Sequence, residues 1–203
     1  HINSLSSSGL AFSLLAAIEM GEQSVVNQIE QMLNTRDDSY AALGLSLIAI
    51  EGQQPVTAGQ YATKAIALDA VNADAYYFRG LFNELINDKE DALNDFVTFA
   101  AQRPFDARAL VYLSKLSLET KNYPQAKVYS QKILDISPSN GLANYVMAAV
   151  LYDEGKYNDV NQFTHYAFDN EKFRTPAKII AGMAAFQMGR FEIAFEHLSV
   201  VAE

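Results

Sequence analysis

One period governs this sequence. The stretch 73–106, ADAYYFRGLFNELINDKEDALNDFVTFAAQRPFD, moved by 34 residues in either direction, falls on the same arrangement of small, apolar and turn residues. Within it, apolar side chains recur at three- and four-residue spacings over 76–87 and again over 90–103, which predicts two amphipathic helices. Asn87, Asp88 and Lys89 make the turn between them. Pro104 lacks a backbone donor and clashes with the turn before it, so the second helix stops there and a new hairpin begins. A lone hairpin of this kind cannot cover its apolar side, and a chain that repeats it buries a core by stacking each hairpin on the next.

With units begun at Ser39, Ala73, Ala107, Gly141 and Thr175, the register holds without an insertion. The eighth position reads Ser46, Gly80, Ser114, Ala148 and Gly182, and the twentieth reads Ala58, Ala92, Ala126, Val160 and Ala194. Small residues at both places are expected to meet where the two helices of a hairpin cross. The seventeenth position is Tyr123, Tyr157 and Phe191 in the last three units, where a ring can cover the turn. The thirty-second carries Ala70, Pro104, Pro138 and Lys172. Gly155 and Gly189 sit at hairpin turns and supply the left-handed conformation that helix ends favour.

These residues make the chain resemble tetratricopeptide repeats, whose helix–turn–helix units carry small residues at these positions and a proline near the end. A related helical-pair solenoid is the alternative. The sequence departs from the family's aromatic or leucine at the fourth and seventh positions, where Asn144, Lys178 and Arg79 stand. The resemblance implies an all-α fold, a right-handed superhelical solenoid of helical pairs. It gives one domain over 1–203, with repeats at about 7–38, 39–72, 73–106, 107–140, 141–174 and 175–203. Helices are expected over 4–20 and 23–34 in the first repeat, 40–50 and 56–68 in the second, 110–119 and 124–136 in the fourth, and from 191 to Ala202 at the end. Pro55 suits the first turn of its helix, where a missing donor costs nothing. The chain opens on His1 and its last helical pattern is still running at Glu203, so it reads as part of a longer protein.

Composition bears on partners. With 15 Lys and Arg against 24 Asp and Glu, the formal charge is −9, which argues against attraction to nucleic-acid phosphates. There is no cysteine, which excludes disulfides, zinc–thiolate sites and cysteine nucleophiles. The apolar run 10–18 is interrupted by Ser13 and too short to span a bilayer, so no membrane insertion is expected. His1, His165 and His197 fall in no metal-ligand spacing, and the glycine-rich and nucleophile-elbow motifs are missing. No catalytic residue, metal or cofactor is expected, and the chain does not read as an enzyme.

Binding is the better expectation. In the solenoid that the resemblance implies, first helices line a concave groove through their second, fifth, ninth, twelfth and thirteenth positions. Carried onto this sequence, those positions make an apolar, tyrosine-rich surface, and the residues expected to hold a polypeptide segment are Tyr40, Leu47, Tyr77, Leu81, Glu84, Arg108, Val111, Lys115, Tyr145, Tyr152 and Met183. Tyrosine joins a broad apolar face to a hydroxyl at low entropic cost, hence its place in binding hot spots. Leu43, Leu47 and Phe78 stand where relatives that clamp acidic chaperone tails would need cations, which argues against that partner. The expected function is a protein-interaction scaffold; the alternative is the substrate-recruiting arm of an enzyme whose catalytic domain lies elsewhere. The texture of the repeats is also similar to bacterial envelope tetratricopeptide lipoproteins of exopolysaccharide-export and exosortase-type systems. That likeness implies an envelope or periplasmic setting, with the cytoplasm as the alternative. Phe195 and Leu198 at the end of the pattern have no following repeat to cover them, so self-association through that end is expected.

Overall fold

The computed structural model describes residues 4–104 and 106–199; the expected helix end at Ala202 and His1 lie outside them. The described residues form α1 (Ser7–Glu19), α2 (Gln23–Leu33), α3 (Ser39–Glu51), α4 (Pro55–Leu68), α5 (Ala73–Leu85), α6 (Lys89–Gln102), α7 (Arg108–Glu119), α8 (Tyr123–Ile136), α9 (Gly141–Asp153), α10 (Tyr157–Phe168), α11 (Glu171–Gln187) and α12 (Phe191–Ser199). They pack as consecutive hairpins, odd-numbered helix against even, and within each of two compact units, 1–106 and 107–203, the second helix of a hairpin packs on the first helix of the next.

Helix starts fall a few residues from the periodicity-based expectation because caps, rather than apolar spacing, set them. Ser6 accepts the Gly9 N–H, Asp38 accepts that of Ala41, Asp88 that of Asp91 and Asn140 that of Ala143, each satisfying a donor that the first turn leaves open. Thus α1 begins at Ser7 rather than residue 4, behind its Ser6 cap; α5 begins at Ala73 rather than 76 without a side-chain cap. Pro55 occupies the first turn of α4 as expected. The largest departure is α11, which starts at Glu171, four residues ahead of the repeat boundary, behind an Asn170 cap. Lys172 occupies the link position where Pro104 and Pro138 end helices in the two preceding links, so nothing there stops the helix.

All six hairpin turns place one residue in the left-handed region at the same repeat position. Gly21, Gly155 and Gly189 occupy it at φ 69°, 73° and 70°, and Gln53, Asn87 and Lys121 at φ 54°, 63° and 59°. The first hairpin therefore shares the register of the others, and its shortening falls in α2, which has 11 residues where α4, α6 and α8 each have 14.

The crossing of the two helices differs from a small-on-small contact. The eighth position faces the twenty-fourth as well as the twentieth. A Cβ on Gly80 would lie 3.0 Å from the ring of Phe96, and one on Gly182 would lie 2.6 Å from Leu198. Ser114 and Ser130 share a 2.7 Å hydrogen bond across the same place, while Ser46 donates to the Ala58 carbonyl at 2.8 Å. Glycine opposes a large side chain and serine opposes a small one, so the helix separation is kept while the volumes trade. Burial of Phe96, fully inaccessible, contributes about 1.5–3 kcal/mol through transfer alone.

Two of the departures from the family pattern have partners of their own. Arg79 donates from Nε and Nη2 to both oxygens of Asp95, at 2.9 and 2.7 Å, and Asn83 Nδ2 donates to the same carboxylate at 3.0 Å. Asn144 is buried, with its Nδ2 donating to the carbonyls of Pro138 and Asn140, both at 2.9 Å. A polar side chain replaces an apolar one in each case because the neighbouring polar groups are met.

Candidate functional site

Each unit has its own run of first helices. In unit 1, α1 packs on α3 and α3 on α5; in unit 2, α7 packs on α9 and α9 on α11. The expected binding residues lie on these helices because i, i+3 and i+4 positions share a side.

In unit 1, Tyr40 is exposed near the start of α3, and Leu47 is half-buried against the core formed by α1 to α3. Leu81 and Glu84 are half-buried on α5. Tyr77 packs inward: its ring centroid lies 5.7, 5.8 and 5.2 Å from those of Phe78, Phe96 and Phe99. Much of that ring therefore serves the α5–α6 interior. Leu43, also on the concave-face pattern, is buried in the core.

In unit 2, Arg108 and Val111 are exposed on α7, and Lys115 lies 3.9 Å from Glu119 one turn on. Tyr145 on α9 stacks on Phe173 of α11, ring centroids 5.6 Å apart and planes 18° from parallel. Lys172 Nζ sits 5.8 Å from the centroid of the same Phe173 ring. Tyr152 meets Tyr157 across the turn at 5.4 Å, and Phe186 meets Phe191 at the equivalent place at 5.6 Å. These twelfth-to-seventeenth ring pairs are the turn covers expected from Tyr157 and Phe191. Met183 and Phe186 are exposed on α11, so the tyrosines of α9 continue into an apolar strip. Phe173 escapes the positional pattern because it lies in the extension that α11 makes before its repeat boundary.

Electrostatics here are mild. Burial, aided by the Glu119 carboxylate, raises the Tyr145 phenol above its ordinary value. Burial likewise raises Tyr123, with the Asp153 carboxylate adding to it. Hydrogen bonds from Lys156 and then Lys127 hold Glu154 below the usual carboxylate range. His165 is exposed beside the Tyr166 ring, and His197 is half-buried beside Phe168. Among the described residues no group of three His, Asp or Glu could hold a metal ion, and no helix is long and apolar enough to cross a membrane.

Neither a family model nor a curated protein sequence matches the chain. Solved structures do. The chain is similar to YrrB, described as a TPR protein with an unusual peptide-binding site, at 17% identity and a TM-score of 0.71, over 93% of this chain and 90% of that one. It is similar to PilF of Pseudomonas aeruginosa at 19% identity and a TM-score of 0.72, over 94% and 88%. A third likeness is to MamA from Desulfovibrio magneticus RS-1, at 16% identity and a TM-score of 0.71, over 82% and 94%. The fold is all-α and of the tetratricopeptide type.

Proposed function

We propose that the chain is a protein-interaction scaffold that holds a polypeptide segment along its first helices, with the strip of unit 2 as the main contact. The carrying observation is the run of partly exposed side chains Tyr145, Tyr152, Met183 and Phe186 on two adjoining first helices, backed by Phe173 and Tyr157. Rings already fixed by a stacking partner lose little freedom when a ligand covers them, so more of the contact energy appears as affinity. The peptide-binding site in the description of YrrB, a protein of the same fold, supports the reading. In unit 1, Tyr40, Leu47, Leu81 and Glu84 are assigned to a separate contact surface of that unit, while Tyr77 acts chiefly by holding α5 in place. Arg108, Val111 and Lys115 are assigned to the α7 side of the unit 2 surface.

The test is a capture experiment from lysate of the source organism, comparing the wild-type chain with a Tyr145→Ala, Tyr152→Ala, Phe186→Ala variant whose helical signal is checked by circular dichroism. A protein retained by the first and lost by the second supports the proposal. Its affinity, measured with the purified partner, should fall by about 2 kcal/mol or more, as for a hot spot. Equal retention overturns it. On the texture of the repeats we place the scaffold in a bacterial envelope assembly, and recovery in the cytoplasmic fraction of source cells would overturn that placement.

A further inference from the structure

At three junctions between hairpins of the same unit, a ring fills the space near the turn. Tyr123, at the seventeenth position of its hairpin, packs against the cluster that includes Ala126 of its own helix and Val150 of α9, and its hydroxyl donates to the Asp153 carboxylate. Tyr157, also seventeenth, packs against the cluster of Val160 and Ala184. Where α4 meets α5 the ring comes from the receiving side: Phe82, at the tenth position, lies so close to Gly59 that a Cβ there would overlap it.

The junction of α2 with α3 is built differently. Its seventeenth position is Gln23, whose Nε2 turns along α2 to donate to Asn27 Oδ1 at 2.9 Å, and its tenth is Ile48. A cleft of about 240 Å³ opens there, with Ile18, Val26 and Ile48 as its apolar wall and Gln23 and Glu51 on its polar side. Val26, Ile48 and Glu51 hold the twentieth, tenth and thirteenth positions, as Ala126, Val150 and Asp153 do around Tyr123. The cleft thus repeats the walls and the acceptor of the Tyr123 site, with a glutamine where the tyrosine stands. Helices that receive a preceding hairpin do so through sixth, tenth and fourteenth positions, as Gly44 meets Leu33 and Glu154 meets Lys127. α1 lines the cleft through its eleventh and twelfth, Ala17 and Ile18, so the space belongs to the junction with α3 whatever precedes α1. The cations within 1–70 are engaged elsewhere: Arg36 donates to Ser7 Oγ and the Leu5 carbonyl, and Lys64 pairs with Asp37. The Glu51 carboxylate is left to a donor from outside.

We propose that this cleft receives a tyrosine side chain of a bound polypeptide, its ring against Ile18, Val26 and Ile48 and its hydroxyl donating to Glu51. The inference rests on the match to the Tyr123 site and is independent of the strip of unit 2. Burial of the ring on apolar walls supplies the affinity, and a hydrogen bond to a charged acceptor ranks tyrosine above phenylalanine. The cleft is smaller than the roughly 300–1,000 Å³ of sites that enclose drug-sized ligands, and suits a single side chain.

Titration of the isotope-labelled whole chain, followed by NMR, tests this with three probes: p-cresol, which is the tyrosine side chain alone, acetyl-Gly-Tyr-Gly amide, and the same tripeptide with phenylalanine. Both tyrosine probes should give saturable shifts at the amide signals of Gly21, Gln23 and Gly52, which border the cleft. The phenylalanine tripeptide should bind about tenfold more weakly, and Glu51→Ala should remove that preference. Gln23→Tyr should supply a ring from the chain itself, raising the melting temperature and abolishing the shifts, with circular dichroism confirming that both variants fold. The absence of saturable shifts at the cleft overturns the proposal. So does p-cresol binding there without the tyrosine tripeptide, which would indicate a site for a free phenol. Undiminished binding by Gln23→Tyr overturns it as well.

Discussion

Arg79 and Asp95 are joined by two parallel hydrogen bonds across the α5–α6 hairpin, with the carboxylate side chain only 5% accessible and the guanidinium 29%. The hydrogen bond to Asp95 raises the already high pKa of Arg79, which keeps the guanidinium charged. Removing one partner strands the other. Arg79→Leu is expected to cost about 2–4 kcal/mol, since Asp95 would be left buried with only Asn83 as a donor. The double variant with Asp95→Leu should recover most of that loss, because no unpaired charge remains. Urea unfolding of both variants checks the pair of values; a double variant no more stable than Arg79→Leu would refute the account.

The left-handed turn position offers a comparison within one chain. Gly155 lies at φ 73° with no atom near the site of a Cβ, and Lys121 lies at φ 59° in the equivalent turn. Gly155→Ala is expected to destabilise by about 1 kcal/mol, from the backbone alone. Lys121→Gly should be neutral or stabilise by up to about 1 kcal/mol for the converse reason. Thermal unfolding of the two variants should shift in opposite directions.

Gly59 has a different task from the turn glycines. Its lack of a side chain lets the Phe82 ring lie on α4. Gly59→Ala gains helix propensity of about 1 kcal/mol but overpacks the junction of α4 and α5, at about 1–3 kcal/mol. Net destabilisation is expected, and Phe82→Leu in the same chain should relieve it. Failure of the second change to restore the melting temperature would mean that the ring is not the obstacle.

Tyr145 gives a pH dependence whose sign follows from its burial. Because the folded state raises this phenol above the ordinary value of about 10, the folded chain holds the proton at pH values where the unfolded chain has lost it. The associated stability is complete below about pH 10 and declines as the pH rises through the unfolded value toward the folded one. Melting temperatures taken between about pH 9 and 11 should fall more for the wild type than for Tyr145→Phe. Parallel curves would show that the Tyr145 hydroxyl is not the group responsible.

The sequence by itself determined the hairpin period, the number of described helices in each repeat and the turns, since these depend on contacts a few residues apart. Helical spacing, capping side chains, Pro104, Pro138 and the turn glycines all act within one or two turns of backbone, and their effect can be read along the chain. Even the extension of α11 is visible afterwards in Lys172, where a proline would have closed the preceding helix.

Tertiary structure decided what each ring touches. Tyr77 and Tyr145 occupy the same repeat position, yet one packs into Phe78, Phe96 and Phe99 while the other stacks on Phe173 of the next hairpin. Arg79 similarly breaks an apolar pattern in sequence and completes a charged one in space. Periodicity assigns a side chain to one side of a helix, but its burial depends on the volume and polarity of residues that arrive from another helix. Those partners lie 12 to 28 positions away, and only packing brings them together.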